Sequence, residues 1–122
     1  MNHYVMAKAG KLPTTAQFTR ALLVRWPEAK VVQLNDRPGL FALDFTLEER
    51  GHRLDGSLRR DRSGIAFVKT EPIAAASLAI WLRSLVHAPT VLQFFDEGHT
   101  TSVRITRQLT AEDLAEPFLE ET

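Results

Sequence analysis

Short segments of alternating apolar and polar residues recur along the chain, separated by residues that favour turns. Alternation with a period of two is typical of strands that bury one face. Turn residues cluster at 35–39, 48–51, 60–63 and 96–99. The pattern predicts seven strands, near residues 3–8, 30–34, 40–47, 52–59, 65–69, 91–95 and 101–105.

Two segments with apolar residues at helical spacing interrupt the strands. The first begins at a capping box of Thr14 and Gln17 and ends before Pro27. The second has Pro72 at its first helical position and runs to about His87. This second helix is apolar around most of its circumference, so it is either deeply buried or packs its second face on a partner.

The order of these elements predicts the fold class. A short third helix is expected from Thr110 to about Leu119. We expect an α+β fold with a largely antiparallel sheet of six to seven strands, which carries the helices at 14–26 and 72–87 on one face. At 122 residues, positions 1–122 are expected to form a single domain.

The first central hairpin predicts two opposed carboxylates. Folding residues 40–59 about the turn at 48–51 places Asp44 directly opposite Asp55. Like charges at directly opposed positions are destabilising, so the pair requires a cation, a partner or a proton.

The second central hairpin is expected to pair Leu58 with Ile65. This register brings Phe67 opposite Gly56, where an aromatic ring can cover the glycine backbone. Both hairpins then share one buried face and one polar face, and antiparallel sheets often leave one face in water. The predicted polar face carries Asp44, Thr46, Arg53, Asp55, Ser57 and Arg59.

The carboxylate pair admits three interpretations. Asp44 and Asp55 can act as a general acid and base or hold a divalent cation. Alternatively, Arg53 and Arg59 neutralise them at the surface. In the third interpretation a protein partner supplies the missing cation. Because the predicted face is open and rich in arginine, we interpret these four residues as an interface rather than a reaction centre.

The predicted turn after the strand at 91–95 is a second candidate binding region. It contains Asp96, Glu97 and His99. Phe95 immediately precedes it and adds an aromatic ring. These groups allow acid/base chemistry in principle, but hairpin tips are exposed and do not exclude water. We therefore expect recognition rather than catalysis at this tip.

Charge and composition exclude several classes of function. The chain has 15 basic and 15 acidic residues, so no net field attracts nucleic acid. The basic cluster at 59–62 has no interleaved aromatic residues. The most apolar segment, 73–86, is too short to span a bilayer. We expect no nucleic-acid partner and no membrane partner.

The histidines do not form a metal motif, and cysteine is absent. None of the four histidines lies two to four residues from another, which is the usual ligand spacing for zinc. Without cysteine there are no disulfides and no thiolate ligands, as is typical of a reducing cytosol. We expect no metal, no cofactor and a cytoplasmic location.

Three stretches carry a resemblance to known proteins. They are residues 54–61, LDGSLRRD, residues 78–86, LAIWLRSLV, and residues 92–98, LQFFDEG. In these stretches the chain resembles small stand-alone bacterial proteins. Some proteins of this kind resemble immunity proteins of bacterial toxin systems, which bind and block a cognate toxin without chemistry of their own. The resemblance implies inhibition by binding, and it carries no site residues to this chain.

The sequence therefore predicts a non-enzymatic protein-binding domain, most specifically an immunity-type inhibitor of a bacterial toxin. One alternative is a small enzyme or ligand-binding domain that uses Asp44 and Asp55. The other is a structural homodimer formed through the helix at 72–87. The expected binding residues are Asp44, Arg53, Asp55, Arg59, Phe95, Asp96, Glu97 and His99.

Overall fold

A computed structural model describes residues 2–34, 38–87, 89–98 and 101–119. These residues form an α+β fold in which an open, antiparallel, seven-stranded sheet carries three helices, as the sequence predicts. The strands are β1 (His3–Ala9), β2 (Lys30–Gln33), β3 (Phe41–Glu49), β4 (His52–Arg59), β5 (Gly64–Val68), β6 (Val91–Asp96) and β7 (Ser102–Arg104). The helices are α1 (Thr15–Arg25), α2 (Pro72–Leu85) and α3 (Ala111–Ala115), and a 3-10 turn (Glu116–Phe118) follows α3.

The strand order is β2-β3-β4-β5-β1-β6-β7. The first strand of the chain therefore lies inside the sheet, between the meander β3-β4-β5 and the hairpin β6-β7. Helix α2 makes the connection from β5 to β6. Local periodicity does not predict this order. The order places β5 and β1 between the two candidate binding regions, which are the β3-β4 hairpin and the end of β6.

The helices pack on the inner face of the sheet. Phe18 of α1 contacts Phe45 of β3, with ring centroids 5.4 Å apart. On the same face, toward the other edge of the sheet, Phe118 after α3 packs edge-on against Phe94 of β6 with ring centroids 4.7 Å apart. The predicted capping box is present at the start of α1, where the side chain of Thr14 accepts a hydrogen bond from the backbone N–H of Gln17.

Most of helix α2 is buried within the chain. It contacts α3 and the central strands β4, β1 and β6, and its Trp81 packs edge-on against Phe18 of α1 at 5.9 Å. Its apolar circumference therefore does not require a second copy of the chain. Among the described residues, no helix has the length and hydropathy needed to cross a membrane.

The predicted register of the first central hairpin is wrong by two residues. Asp44 pairs with Ser57, and Asp55 pairs with Thr46, so the two carboxylates are not directly opposed. The turn consists of Arg50 and Gly51 alone, rather than residues 48–51. Because a shift of two preserves the alternation of faces, both aspartates still point outward.

The shorter turn has a conformational cause. Arg50 and Gly51 both adopt positive φ, 54° and 78°, as a two-residue hairpin loop of type I′ requires. Strand β3 can therefore continue to Glu49, which points inward and accepts hydrogen bonds from Trp26 and Ser77. The sequence analysis places Glu49 in the turn, within residues 48–51.

The second central hairpin has the predicted register. Leu58 pairs with Ile65, and Gly56 pairs with Phe67. The ring over the glycine is that of Phe45 on β3, however, because Phe45 is the direct partner of Gly56 in the corrected first hairpin. The missing side chain of Gly56 thus makes room for Phe45 in the core.

Candidate binding surface

The outer face of the sheet carries a polar cluster on β3 and β4. Ser57 donates to Asp44 through Oγ at 2.6 Å, and Thr46 donates to Asp55 through Oγ1 at 2.7 Å. The Nε atom of Arg53 lies 3.2 and 3.1 Å from the two oxygens of Asp55. Each aspartate therefore has its own hydroxyl donor on the neighbouring strand.

The polar cluster is open to solvent. Asp44 is exposed, and the side chains of Asp55 and Arg53 are 42% and 72% exposed. A carboxylate pair that exchanges protons with a substrate works best where water is excluded. Among the described residues, no group of three or more His, Cys, Asp or Glu side chains could hold a metal ion. The geometry of these residues favours surface recognition.

Arg59 does not pair with Asp44 or Asp55. Its Nε atom lies 3.4 Å from Asp61, at the tip of the β4-β5 hairpin. Asp61 also accepts from the backbone and hydroxyl of Ser63, and these bonds together with Arg59 lower the pKa of Asp61 to about 2. The sequence analysis missed this pairing because it compared residues across the strands, whereas Asp61 lies in the turn two residues after Arg59, the last residue of β4.

An apolar patch lies next to the polar cluster on the same face. Tyr4 of β1 stacks on Phe95 of β6, with ring centroids 5.4 Å apart and an interplanar angle of 23°. The backbone register places Ala66 beside Tyr4, and Val68, which is 46% exposed, lies one row further along β5. Sequence analysis missed this patch because its members come from three strands whose order local patterns do not reveal.

The structure corrects the prediction for Phe95 and the turn at 96–99 in two respects. Asp96 is the last residue of β6 and only 8% exposed, because it pairs with His3 inside the sheet and points to the inner face. Phe95 is also 8% exposed and contributes to the outer face through its stack with Tyr4. Glu97 is exposed, as predicted. The fourth residue, His99, lies outside the described residues.

His3 is a buried titratable group that the sequence analysis did not single out. It is 0% exposed and stacks on Phe94 with ring centroids 5.6 Å apart. Its Nδ1 atom shares a hydrogen bond of 2.9 Å with Thr70 Oγ1. Its Nε2 atom has no hydrogen-bond partner among the described residues. A buried polar atom without a hydrogen-bond partner adds to the free-energy cost of burying the His3 ring.

Burial lowers the pKa of His3 below its ordinary value of 6.5, and the positive amino terminus acts in the same direction. The carboxylates of Asp96, Glu97 and Glu71 oppose this shift. Folding therefore favours the neutral imidazole. The contribution of neutral His3 to the stability of the fold is fully present above pH 6.5. It is lost as the pH falls toward the lower pKa of His3 in the folded state, because the unfolded chain takes up the proton first.

We expect His3→Gln to remove part of the pH dependence of stability. Urea unfolding followed by circular dichroism should show that the wild-type protein loses stability as the pH falls below 6.5, whereas the variant loses less over the same range. His52→Gln, at the end of a hairpin, is the matched control and should keep the wild-type profile. Parallel profiles for the wild-type protein and His3→Gln would contradict this assignment.

Comparison of the chain with protein-family models, with curated proteins and with solved structures gives no match.

Proposed function

We propose that this chain is a non-enzymatic protein-binding domain, an immunity-type inhibitor that binds a bacterial toxin in the cytoplasm. The observation that carries the proposal is the outer face of the sheet, on which an aromatic and apolar patch adjoins a charged cluster. Binding surfaces of proteins commonly combine an apolar, aromatic centre with a polar rim.

The arrangement of strands makes this face continuous. The backbone register aligns Asp44, Ser57 and Ala66 in one row across β3, β4 and β5. The same row continues through Tyr4 and Phe95 on β1 and β6. At a strand spacing of about 4.8 Å, these five strands span roughly 19 Å. One partner surface can therefore contact the charged cluster and the aromatic patch together.

The charged groups on this face support binding to a partner with both signs of charge. Arg53 and Asp55 neutralise each other in the free protein, and both are accessible. On the other side of the patch, Glu97 provides an exposed carboxylate. Charges at the edge of an interface contribute mainly to association rate and specificity, whereas the buried centre contributes most of the affinity.

Val68→Asp is expected to weaken partner binding strongly and to lower the stability of the free protein by no more than about 1 kcal/mol, the cost of a carboxylate directly opposite Asp55 on β4. Val68 is 46% exposed at the centre of the face, so an introduced carboxylate remains solvated in the free protein and becomes buried in the complex. A loss of about 2 kcal/mol, or roughly 30-fold in affinity, is typical for a disrupted interface centre. The matched control is Val24→Asp on α1, where the side chain is 79% exposed on the opposite layer.

The test uses three tagged proteins as baits in an extract of the producing cells: wild type, Val68→Asp and Val24→Asp. The expected partner is retained by the wild-type protein and by Val24→Asp, and lost by Val68→Asp. The partner, expressed alone, should arrest growth, and co-expression of the wild-type chain should restore it. If every protein retained by the wild-type chain is also retained by Val68→Asp, the outer face is not the binding surface. If the partner is not toxic, the immunity role is wrong.

A further inference from the structure

A second exposed surface lies on the helical layer, between α1 and α2. It is an open groove of about 600 Å³. Val24 on its rim is 79% exposed, and Trp81 and Leu85 of α2 are only partly buried. The residues that line the groove are Gln17, Arg20, Ala21, Val24, Arg25, Trp81 and Leu85.

The groove continues into a smaller depression of about 270 Å³, toward the start of α1. Gln17, Ala21 and Leu85 line both, so the two depressions form one channel. It extends from Pro13, before the start of α1, to Arg25 at its end, and the 11 residues of α1 correspond to about 16 Å at the helical rise per residue. A helix of about three turns has the same length.

The charge along this channel has one sign. Arg20, Arg25 and Arg62 line it, and none of the described residues that line either depression is acidic. Arg20 is exposed, and no ion pair joins it to any residue that the structure describes.

The other two arginines are held in place. The guanidinium of Arg25 lies 4.6 Å from the ring centroid of Trp26 and 3.7 Å from the carboxylate of Glu49, which offsets part of its charge. The Nε atom of Arg62 donates to the carbonyl of Leu12 at 2.8 Å. Both cations are therefore positioned by the fold before any ligand binds, which reduces the entropy lost on association.

We infer that this channel binds a short amphipathic helix of another protein, with an apolar stripe flanked by acidic residues. Val24, Leu85 and Trp81 offer contacts to apolar side chains at helical spacing, as in other helix-in-groove complexes. The arginines on the rim select carboxylates and disfavour a basic helix. This inference does not depend on the proposed function, because the channel and the outer face lie on opposite layers of the fold.

The direct probe is a synthetic, acetylated helical peptide of about 15 residues, with Leu at positions i, i+3, i+4 and i+7 and Glu on both flanks. Binding to the full chain is measured by tryptophan emission and by amide chemical shifts. We expect saturable binding with a dissociation constant of tens of micromolar, roughly −6 kcal/mol. The shifted amides should lie on α1 and α2.

Charge and groove variants test the assignment. Arg20→Glu and Val24→Asp, at exposed positions, should each weaken the peptide by about tenfold. Val68→Asp, on the outer sheet face, should leave the affinity unchanged. A peptide with Lys in place of Glu should bind at least about tenfold more weakly.

Three results would overturn the inference. One is the absence of binding by the acidic peptide at millimolar concentration. Another is equal affinity for the acidic and basic peptides. The third is binding that Val68→Asp abolishes and Val24→Asp does not, since that would place the peptide on the outer sheet face.

Discussion

Gly56→Ala is expected to lower the free energy of unfolding by about 2 kcal/mol. A Cβ atom at this position would lie 2.8 and 2.9 Å from the Cε1 and Cε2 atoms of Phe45, and closer still to Cζ. Phe45 is only 2% exposed, and its ring packs against Phe18 and Phe67 with centroids 5.4 and 6.5 Å away. The ring cannot move aside without disturbing two other aromatic contacts, so the added methyl group strains the core.

Chemical denaturation of purified variants measures this effect. Ser57→Ala is the control in the same strand, and it should cost less than about 1 kcal/mol because its hydroxyl bonds to an exposed carboxylate. In the double variant Gly56→Ala with Phe45→Leu, the smaller side chain relieves the clash. Its cost should therefore be at least about 1 kcal/mol below the sum of the single variants. Wild-type stability in Gly56→Ala would show that Phe45 does not need the space above Gly56.

Glu49→Ala should also cost about 2 kcal/mol of stability. The Glu49 side chain is 12% exposed and accepts from Trp26 Nε1 at 3.2 Å and from the hydroxyl of Ser77. Its carboxylate lies 3.7 Å from Arg25. One carboxylate thus joins β3 to α1 and α2, and its removal leaves two partly buried donors without this acceptor.

Glu48 offers a matched control, because it is the preceding residue on β3 and is exposed on the other face. Glu48→Ala should change the free energy of unfolding by less than about 0.5 kcal/mol. Glu49→Ala should in addition alter the tryptophan emission. In the wild-type protein Trp26 donates to Glu49 and packs edge-on against Trp81 at 5.0 Å, so loss of the hydrogen bond changes the surroundings of both indole rings. Equal stabilities for the two variants would mean that the inward carboxylate contributes nothing to the packing of the helices on the sheet.

Local patterns were sufficient for the elements of the fold. The capping box at Thr14 and Gln17 marks the start of α1, and a second capping box, Thr110 and Asp113, marks the start of α3. Apolar and polar patterns together with the turn residues between them located each strand to within one or two residues of its observed bounds. These signals depend on residues close in sequence, so no knowledge of the rest of the chain is needed to interpret them.

The candidate site was predicted in part. Asp44, Arg53 and Asp55 lie on the outer face because alternation decides which face a residue occupies. The direct pairing of Asp44 with Asp55 was wrong because register depends on the turn, and the positive φ of Arg50 shortened that turn to two residues. Asp96 was placed on the exposed tip, but the pairing of β6 with β1 extends the strand through it and buries it.

The sequence by itself determined the α+β class, the two main helices and the polar character of the outer face around Asp55, since each follows from spacing along one segment. Only the tertiary structure decided the strand order, the stack of Tyr4 on Phe95 and the channel between α1 and α2. The physical reason is distance along the chain. Contacts between remote segments form only where the whole core packs without voids or clashes, and that condition depends on all of the elements at once.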